Sequence, residues 1–244
     1  MKLRKTIIMF AAGALAAAAF ADLAIVESWP SPGLIPYGVA HDGSYVWVSC
    51  DEAGKESLYK CDPGTGSVLS SFRVETSGLL ACAYDGSYLW YDALNSSLEY
   101  YLYQADDAGS VLSSWKSPLN RTVGVAWDGS HLWLTSYYSN MGWVTTAGSL
   151  VGSFDTAWRP TGAAYDGEYL WTAEYNTAKL YRLTTAGSLL ATYTFPAGEP
   201  WGLDFDGEYL WATNKDGAGT IYKVNISSDP AVTPASFGGV RALY

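Results

Sequence analysis

Apolar residues along this chain come in short runs set off by polar, Gly-rich punctuation, and the runs repeat. The phrase GVAHDGSYVW at 38–47 returns as ACAYDGSYLW at 81–90, GVAWDGSHLW at 124–133, GAAYDGEYLW at 162–171 and GLDFDGEYLW at 202–211. The closing residues Trp47, Trp90, Trp133, Trp171 and Trp211 are spaced 43, 43, 38 and 40 apart. A second phrase follows the first, at 58–72, 101–115, 143–154 and 180–193, with a looser fifth copy beginning at Ile221. No window past residue 21 holds a helical period for more than a turn or two.

Each unit reads as four short strands. Strand a is the Gly-x-Ala-aromatic piece. It ends in Asp-Gly, a strong hairpin signal because both residues tolerate turn conformations closed to most side chains. Strand b is Tyr-Leu-Trp, strand c is Leu-Tyr-x-Leu, and strand d follows a polar Ala-Gly turn as Ser-Val-Leu-x-Ser-Phe. Strand b is apolar at consecutive positions, so both of its faces need cover. Sheets of this kind, sandwiched between like sheets around an axis, make a propeller. The expected fold is therefore all-β, a five-bladed β-propeller of four-stranded antiparallel blades forming one domain over residues 22–244. Ala24–Trp29 resembles a strand d without its blade. It is expected to lie beside a final strand at 238–244, pairing the termini and covering an edge.

The first 21 residues stand apart. Lys2, Arg4 and Lys5 precede an Ala-rich apolar run from Thr6 to Phe20, closed by Ala19-Phe20-Ala21. This is the pattern of a secretory signal peptide, and the run is short for a membrane span. It predicts a secreted, periplasmic or cell-surface protein of bacterial type, with no membrane insertion after cleavage. Removing three cations leaves 11 basic against 24 acidic residues. Such a charge argues against nucleic acid and anionic lipid as partners. Three Cys leave at least one thiol without an intramolecular partner. Cys61 and Cys82 stand where other repeats place Leu, Val or Ala, whereas Cys50, at a strand end, could reach Cys82 of the next unit.

The repeats also separate architecture from site. Asp42, Asp85, Asp128, Asp166 and Asp206 recur in every unit and belong to the turns, and the five repeat Trp belong to packing between blades. Variation lies in the d-to-a and b-to-c loops, which share one mouth of a propeller. Seven residues before each turn Asp stand Ile35, Gly78, Arg121, Arg159 and Glu199, and two residues further on Tyr37, Leu80, Val123, Thr161 and Trp201. The b-to-c loops carry Asp51, Asp92, Tyr137, Tyr138, Glu174, Tyr175, Asn176, Asn214 and Lys215. Arg121, Arg159, Trp201, Tyr137, Tyr175, Asn176 and Asn214 are the candidate ligand-binding residues. Aromatic faces beside amides and charges suit a polar organic ligand such as a glycan or peptide end, or a cell-surface protein. A solvated rim of Arg–Glu pairs is the plainer account of the same residues.

Catalytic chemistry has few candidates. His41 and His131 flank Asp-Gly turns, on the face opposite the mouth, so no Ser-His-Asp or multi-His metal set forms there. Glu174 and Glu199 are the carboxylates available for acid–base work. No cofactor and no metal site is expected, and the chain is expected to be monomeric.

The DG-x-Tyr-Leu-Trp phrase followed by Leu-Tyr-x-Leu-x-x-x-Gly resembles the repeats of secreted bacterial propellers of the YncE, NHL and virginiamycin-lyase type. Distantly, the chain is also similar to the five-bladed glutaminyl cyclotransferases. In place of their Phe-Thr-x-Gly-Leu it reads Pro36-Tyr37-Gly38-Val39. The first resemblance implies an exported propeller, whose function is read here as a non-catalytic binding or interaction module. The second, like that to the lyases, implies the alternative of a carboxylate-dependent enzyme.

Overall fold

The computed structural model describes residues 23–52, 55–215 and 219–226. The signal-peptide expectation and the strand expected at 238–244 lie outside these residues. Among the described residues the regular elements are all strands, gathered into five four-stranded antiparallel sheets. After β1 (Ala24–Pro30), blade 1 is β2 (Ile35–His41), β3 (Val46–Asp51), β4 (Ser57–Cys61) and β5 (Val68–Arg73). Blade 2 is β6 (Cys82–Tyr84), β7 (Leu89–Leu94), β8 (Tyr100–Ala105) and β9 (Val111–Lys116). Blade 3 is β10 (Thr122–Trp127), β11 (Leu132–Ser136), β12 (Asn140–Val144) and β13 (Leu150–Asp155). Blade 4 is β14 (Pro160–Tyr165), β15 (Leu170–Glu174), β16 (Lys179–Leu183) and β17 (Leu189–Thr194). Blade 5 holds β18 (Pro200–Phe205), β19 (Tyr209–Asn214) and β20 (Thr220–Asn225), with β1 at its outer edge. The blades form a five-bladed β-propeller.

The repeated phrase builds the same joint five times. In blade 1 the Asp42 carboxylate accepts the N–H groups of Ser44 and Tyr45 through Oδ1 and the Trp47 indole N–H through Oδ2 at 3.0 Å. The equivalent indole bonds to Asp85, Asp128, Asp166 and Asp206 measure 2.7, 2.7, 2.7 and 2.8 Å. One carboxylate thus closes the turn and satisfies the single polar atom of a buried Trp. A bond to an ionised acceptor contributes about 1.5–3 kcal/mol. At Asp42 burial is outweighed by these bonds, together with Lys60, and the carboxyl pKa is lowered.

An aromatic on each outer strand packs against its blade's Trp: Phe72, Trp115, Phe154 and Tyr193 in blades 1 to 4. In blade 5 that place is taken by Trp29, stacked on Trp211 with centroids 5.4 Å apart. Trp29 pairs with Ile221 as Phe72 pairs with Leu58 and Trp115 with Leu102. β1 is therefore the strand d of blade 5. Ala24–Trp29 adds directly to β20, because a, b and c of the fifth copy leave one outer slot that β1 fills in register; the expected pairing with 238–244 lies outside the described residues. Trp29 also lies on Gly66 of blade 1, as Phe72 lies on Gly109 and Trp115 on Gly148. In blades 1, 2, 3 and 5 the outer aromatic sits on the next blade's turn glycine, where φ is positive and a Cβ would collide with the ring. The two chain regions thereby join the ring at blades 5 and 1.

The inner strands close the axis. A Cβ on Gly124, Gly162 or Gly202 would strike the backbone of the next inner strand, and the lining leaves no room for a water molecule. Below the mouth the position two residues after the repeat Trp is polar in four blades and Ala173 in blade 4, and in blades 3 and 5 it ties neighbouring inner strands together. Thr213 Oγ1 accepts from Gly202 N at 2.8 Å and donates to Tyr37 O of the next blade at 2.6 Å. Thr135 donates likewise to Thr161 O. Blade 2 has Asp92 there. Its Oδ1 accepts from Leu80 N and Ala81 N at 3.0 and 2.6 Å, and β6 is accordingly cut to three residues. Asp92 is fully buried rather than displayed in a loop. Burial pushes its carboxyl up to about 8 despite those backbone bonds. Cys50, Cys61 and Cys82 are all buried free thiols.

Candidate functional site

Four-stranded blades place the a–b and c–d turns on one face and the b–c and d–a loops on the other. On the second face, blades 3 and 4 share a backbone clasp. Tyr137 N donates to Arg121 O at 3.1 Å, and Tyr175 N donates to Arg159 O at 2.9 Å. The clasp sets a b–c tyrosine beside a d–a arginine in each blade. Arg121 has φ 52°, a left-handed turn conformation. Its guanidinium carbon stands 3.9 Å from the centre of the Tyr137 ring. Arg159 reaches back from blade 4 to the same ring, at 5.1 Å, and donates from Nη1 to the Tyr137 hydroxyl at 3.3 Å.

From Tyr137 a run of edge-to-face rings crosses the mouth. Centroid separations are 5.1 Å to Tyr175, 5.7 Å from Tyr175 to Trp201, and 5.2 Å from Trp201 to Tyr37 of blade 1. These are distances at which the positive ring edge meets the negative ring face. Lys215 Nζ lies 4.8 Å from the Trp201 ring and 5.6 Å from Tyr175. Burial raises the Tyr37 hydroxyl pKa, with Asp51 adding to it. At Tyr100, beside Arg121, burial raises the pKa while the guanidinium pulls it down.

A cleft of about 440 Å³ opens beside this array, with Ser139, Trp158, Arg159, Glu174, Tyr175 and Asn176 on its walls. Trp158 stacks face to face on Tyr181 at 3.9 Å. The Tyr181 hydroxyl donates to Glu174 Oε2 at 2.9 Å, Thr177 Oγ1 donates to the same oxygen at 3.0 Å, and Lys179 Nζ is 3.7 Å away. Burial first, then the bond to Glu174, raises the Tyr181 pKa.

The structure therefore gathers Arg121, Arg159, Tyr137, Tyr175 and Trp201 into one array. Asn176 follows Tyr175 on the rim, exposed, with φ 56°. Asn214 is 5% exposed and donates to Ala197 O at 2.5 Å, so its amide holds the blade 5 loop. Glu199 lies half-buried in that same loop. His41 and His131 sit by their Asp-Gly turns on the far face, His41 stacked on Trp211. Trp158 and Tyr181 were not singled out by the repeats. The signal for Trp158 was a Trp in a d–a loop, outside the repeated position. Among the described residues no group of three or more His, Cys, Asp or Glu could hold a metal ion.

No protein-family model and no curated protein matches the chain. Solved structures do. Glutaminyl cyclase from Myxococcus xanthus superposes with a TM-score of 0.69 at 12% identity, over 83% of this chain and 95% of that one. The PQQ-bound aldose sugar dehydrogenase from Streptomyces coelicolor gives 0.50 at 12% identity, over 84% and 98%. The likeness is one of fold. At such identity residues cannot be carried across, and propellers host unrelated chemistries.

Proposed function

We propose that this chain is an exported binding module that captures a polar organic ligand at the mouth of blades 3 to 5. The observation that carries this reading is the joined array of Arg121, Tyr137, Arg159, Tyr175 and Trp201. Three separate blades contribute to it, above an axis with no passage and beside a cleft of about 440 Å³. A few placed polar groups among aromatic faces in a concave site are what small-ligand recognition requires. Export rests on the basic, apolar and small-x-small order of residues 1–21. The test is a glycan and peptide array probed with purified protein and with Tyr137→Ala. Binding lost in the variant supports the reading, whereas an array with no specific signal overturns it.

A carboxylate-dependent enzyme is the second reading, because Glu174 stands in the cleft wall with its side chain 19% exposed. Its three partners there, Tyr181, Thr177 and Lys179, all meet Oε2, one of the two oxygens that a general base would use. Turnover of any array ligand, abolished in Glu174→Gln, would establish this reading in place of the first.

A further inference from the structure

One part of the mouth gathers cations, beside the carboxylates Asp51, Glu174 and Glu199 of the same face. The sequence carries a formal charge of -10, yet Arg121, Arg159 and Lys215 meet above blades 3 to 5. Elsewhere Lys60, Lys116, Lys179 and Arg182 each lie within 4 Å of a carboxylate. Among the described residues no ion pair is formed by Arg121, Arg159 or Lys215, and aromatic faces hold them instead. A guanidinium stacked on a ring keeps its in-plane N–H edge available for a bidentate acceptor.

Among the unmatched buried polar atoms on this side, Arg121 Nε, Trp201 Nε1 and Trp158 Nε1 are donors, beside the Thr161 hydroxyl and the Asn140 amide oxygen. Trp201 is 7% exposed and Trp158 lines the cleft. A site with cations, spare donors and aromatic faces calls for a ligand with many oxygen acceptors, a negative charge and a ring to stack. A peptide added as a strand would need a free sheet edge here. The inner edges are packed against one another through Gly38, Gly124, Gly162 and Gly202, so none is offered.

We infer that the mouth binds an acidic oligosaccharide, with a sugar carboxylate on the Arg121–Arg159 pair flanking Tyr137 and a sugar ring on the aromatic surface of Tyr138 and Tyr175. Tyr138 is 59% exposed and packs edge-on to Tyr137, so it extends the surface outward. This inference rests on the reading of the mouth as a binding surface.

The experiment is calorimetric titration of the purified protein with oligosaccharides of galacturonate, glucuronate and sialic acid, each beside its carboxyl-reduced neutral form. Arg159→Gln and Lys215→Gln are titrated in parallel, with unfolding midpoints confirming that they fold. An acidic sugar is expected to bind at least about tenfold tighter than its neutral form. That margin should shrink at high salt and fall about tenfold in Arg159→Gln. Equal binding of the neutral form, lost in Tyr137→Ala, overturns the charge assignment and leaves the mouth as a binding surface. Acidic binding unchanged by both cation variants overturns the assignment of the site. No binding by any of the sugars overturns the inference, and a peptide ligand recovered from the array would then uphold only the broader reading.

Discussion

The two faces of this propeller are made from the same five repeats and follow opposite rules. On the turn face, five Asp carboxylates close five turns and hold five buried indoles, with bonds between 2.7 and 3.0 Å. On the mouth face, positions related by the same repeat hold Ile35, Gly78, Arg121, Arg159 and Glu199. Identity across copies marks a demand that every blade shares. The demand is to bury a Trp and satisfy its N–H. Divergence marks positions where no blade needs the residue for itself, so a ligand can set the choice.

That contrast can be broken by substitution. Trp171→Ala on the turn side should cost about 3–5 kcal/mol in urea unfolding, since a fully buried indole leaves a cavity. A loss below about 1 kcal/mol would mean that the repeat Trp is not what joins the blades. Asp166→Ala should cost about 2–3 kcal/mol, because the Trp171 indole and the turn N–H groups lose their acceptor together. The same change at Glu199 on the mouth side should stay within about 0.5 kcal/mol.

Asp92 sharpens the comparison inside the blades. It stands where Thr135 and Thr213 donate to the next blade, and its Oδ2 is buried without a partner. Its pKa is raised in the folded protein to about 8, so the folded state holds a proton that the unfolded chain releases above about pH 4. This group's contribution to stability therefore falls as pH rises from about 5 to 8. Asp92→Thr should remove that slope and be about 1–3 kcal/mol more stable than the parent at pH 8, measured by denaturant melts across the range. Identical pH profiles for the two proteins would show that Asp92 is ionised in the fold.

The smallest effects belong to the outer rim. Val68, Leu69, Val111, Leu112, Val151 and Leu190 are half exposed on the edge strands, each strand carrying an irregular register that blunts edge pairing. Val151→Thr should shift the midpoint by the equivalent of about 0.5 kcal/mol or less.

Strand order, turn positions and the buried Trp set were legible because they depend on contacts repeated within each unit of about 40 residues. A recurring Asp-Gly followed five residues after the Asp by Trp needs no distant partner to be recognised. The termini were less legible: residues 24–29 and 238–244 both resemble an outer strand, and the register of Trp29 opposite Ile221 is what places 24–29 beside β20. Asp92 looked like a loop carboxylate because its neighbours are variable, whereas the shortened β6 draws it inward to two backbone N–H groups.

By itself, then, the sequence determined the blade and the number of its copies, since period and pattern are local properties of a chain. It also marked which loops vary. Only the tertiary structure decided that Arg121 and Arg159 share one tyrosine ring, that Asn214 turns in to hold Ala197, and that Glu174 is met by Tyr181. Arg159 reaches Tyr137 across two blades that only their packing around one axis brings together, whereas the Asn214 and Glu174 contacts arise within one blade, where strand pairing and loop folding set the distance.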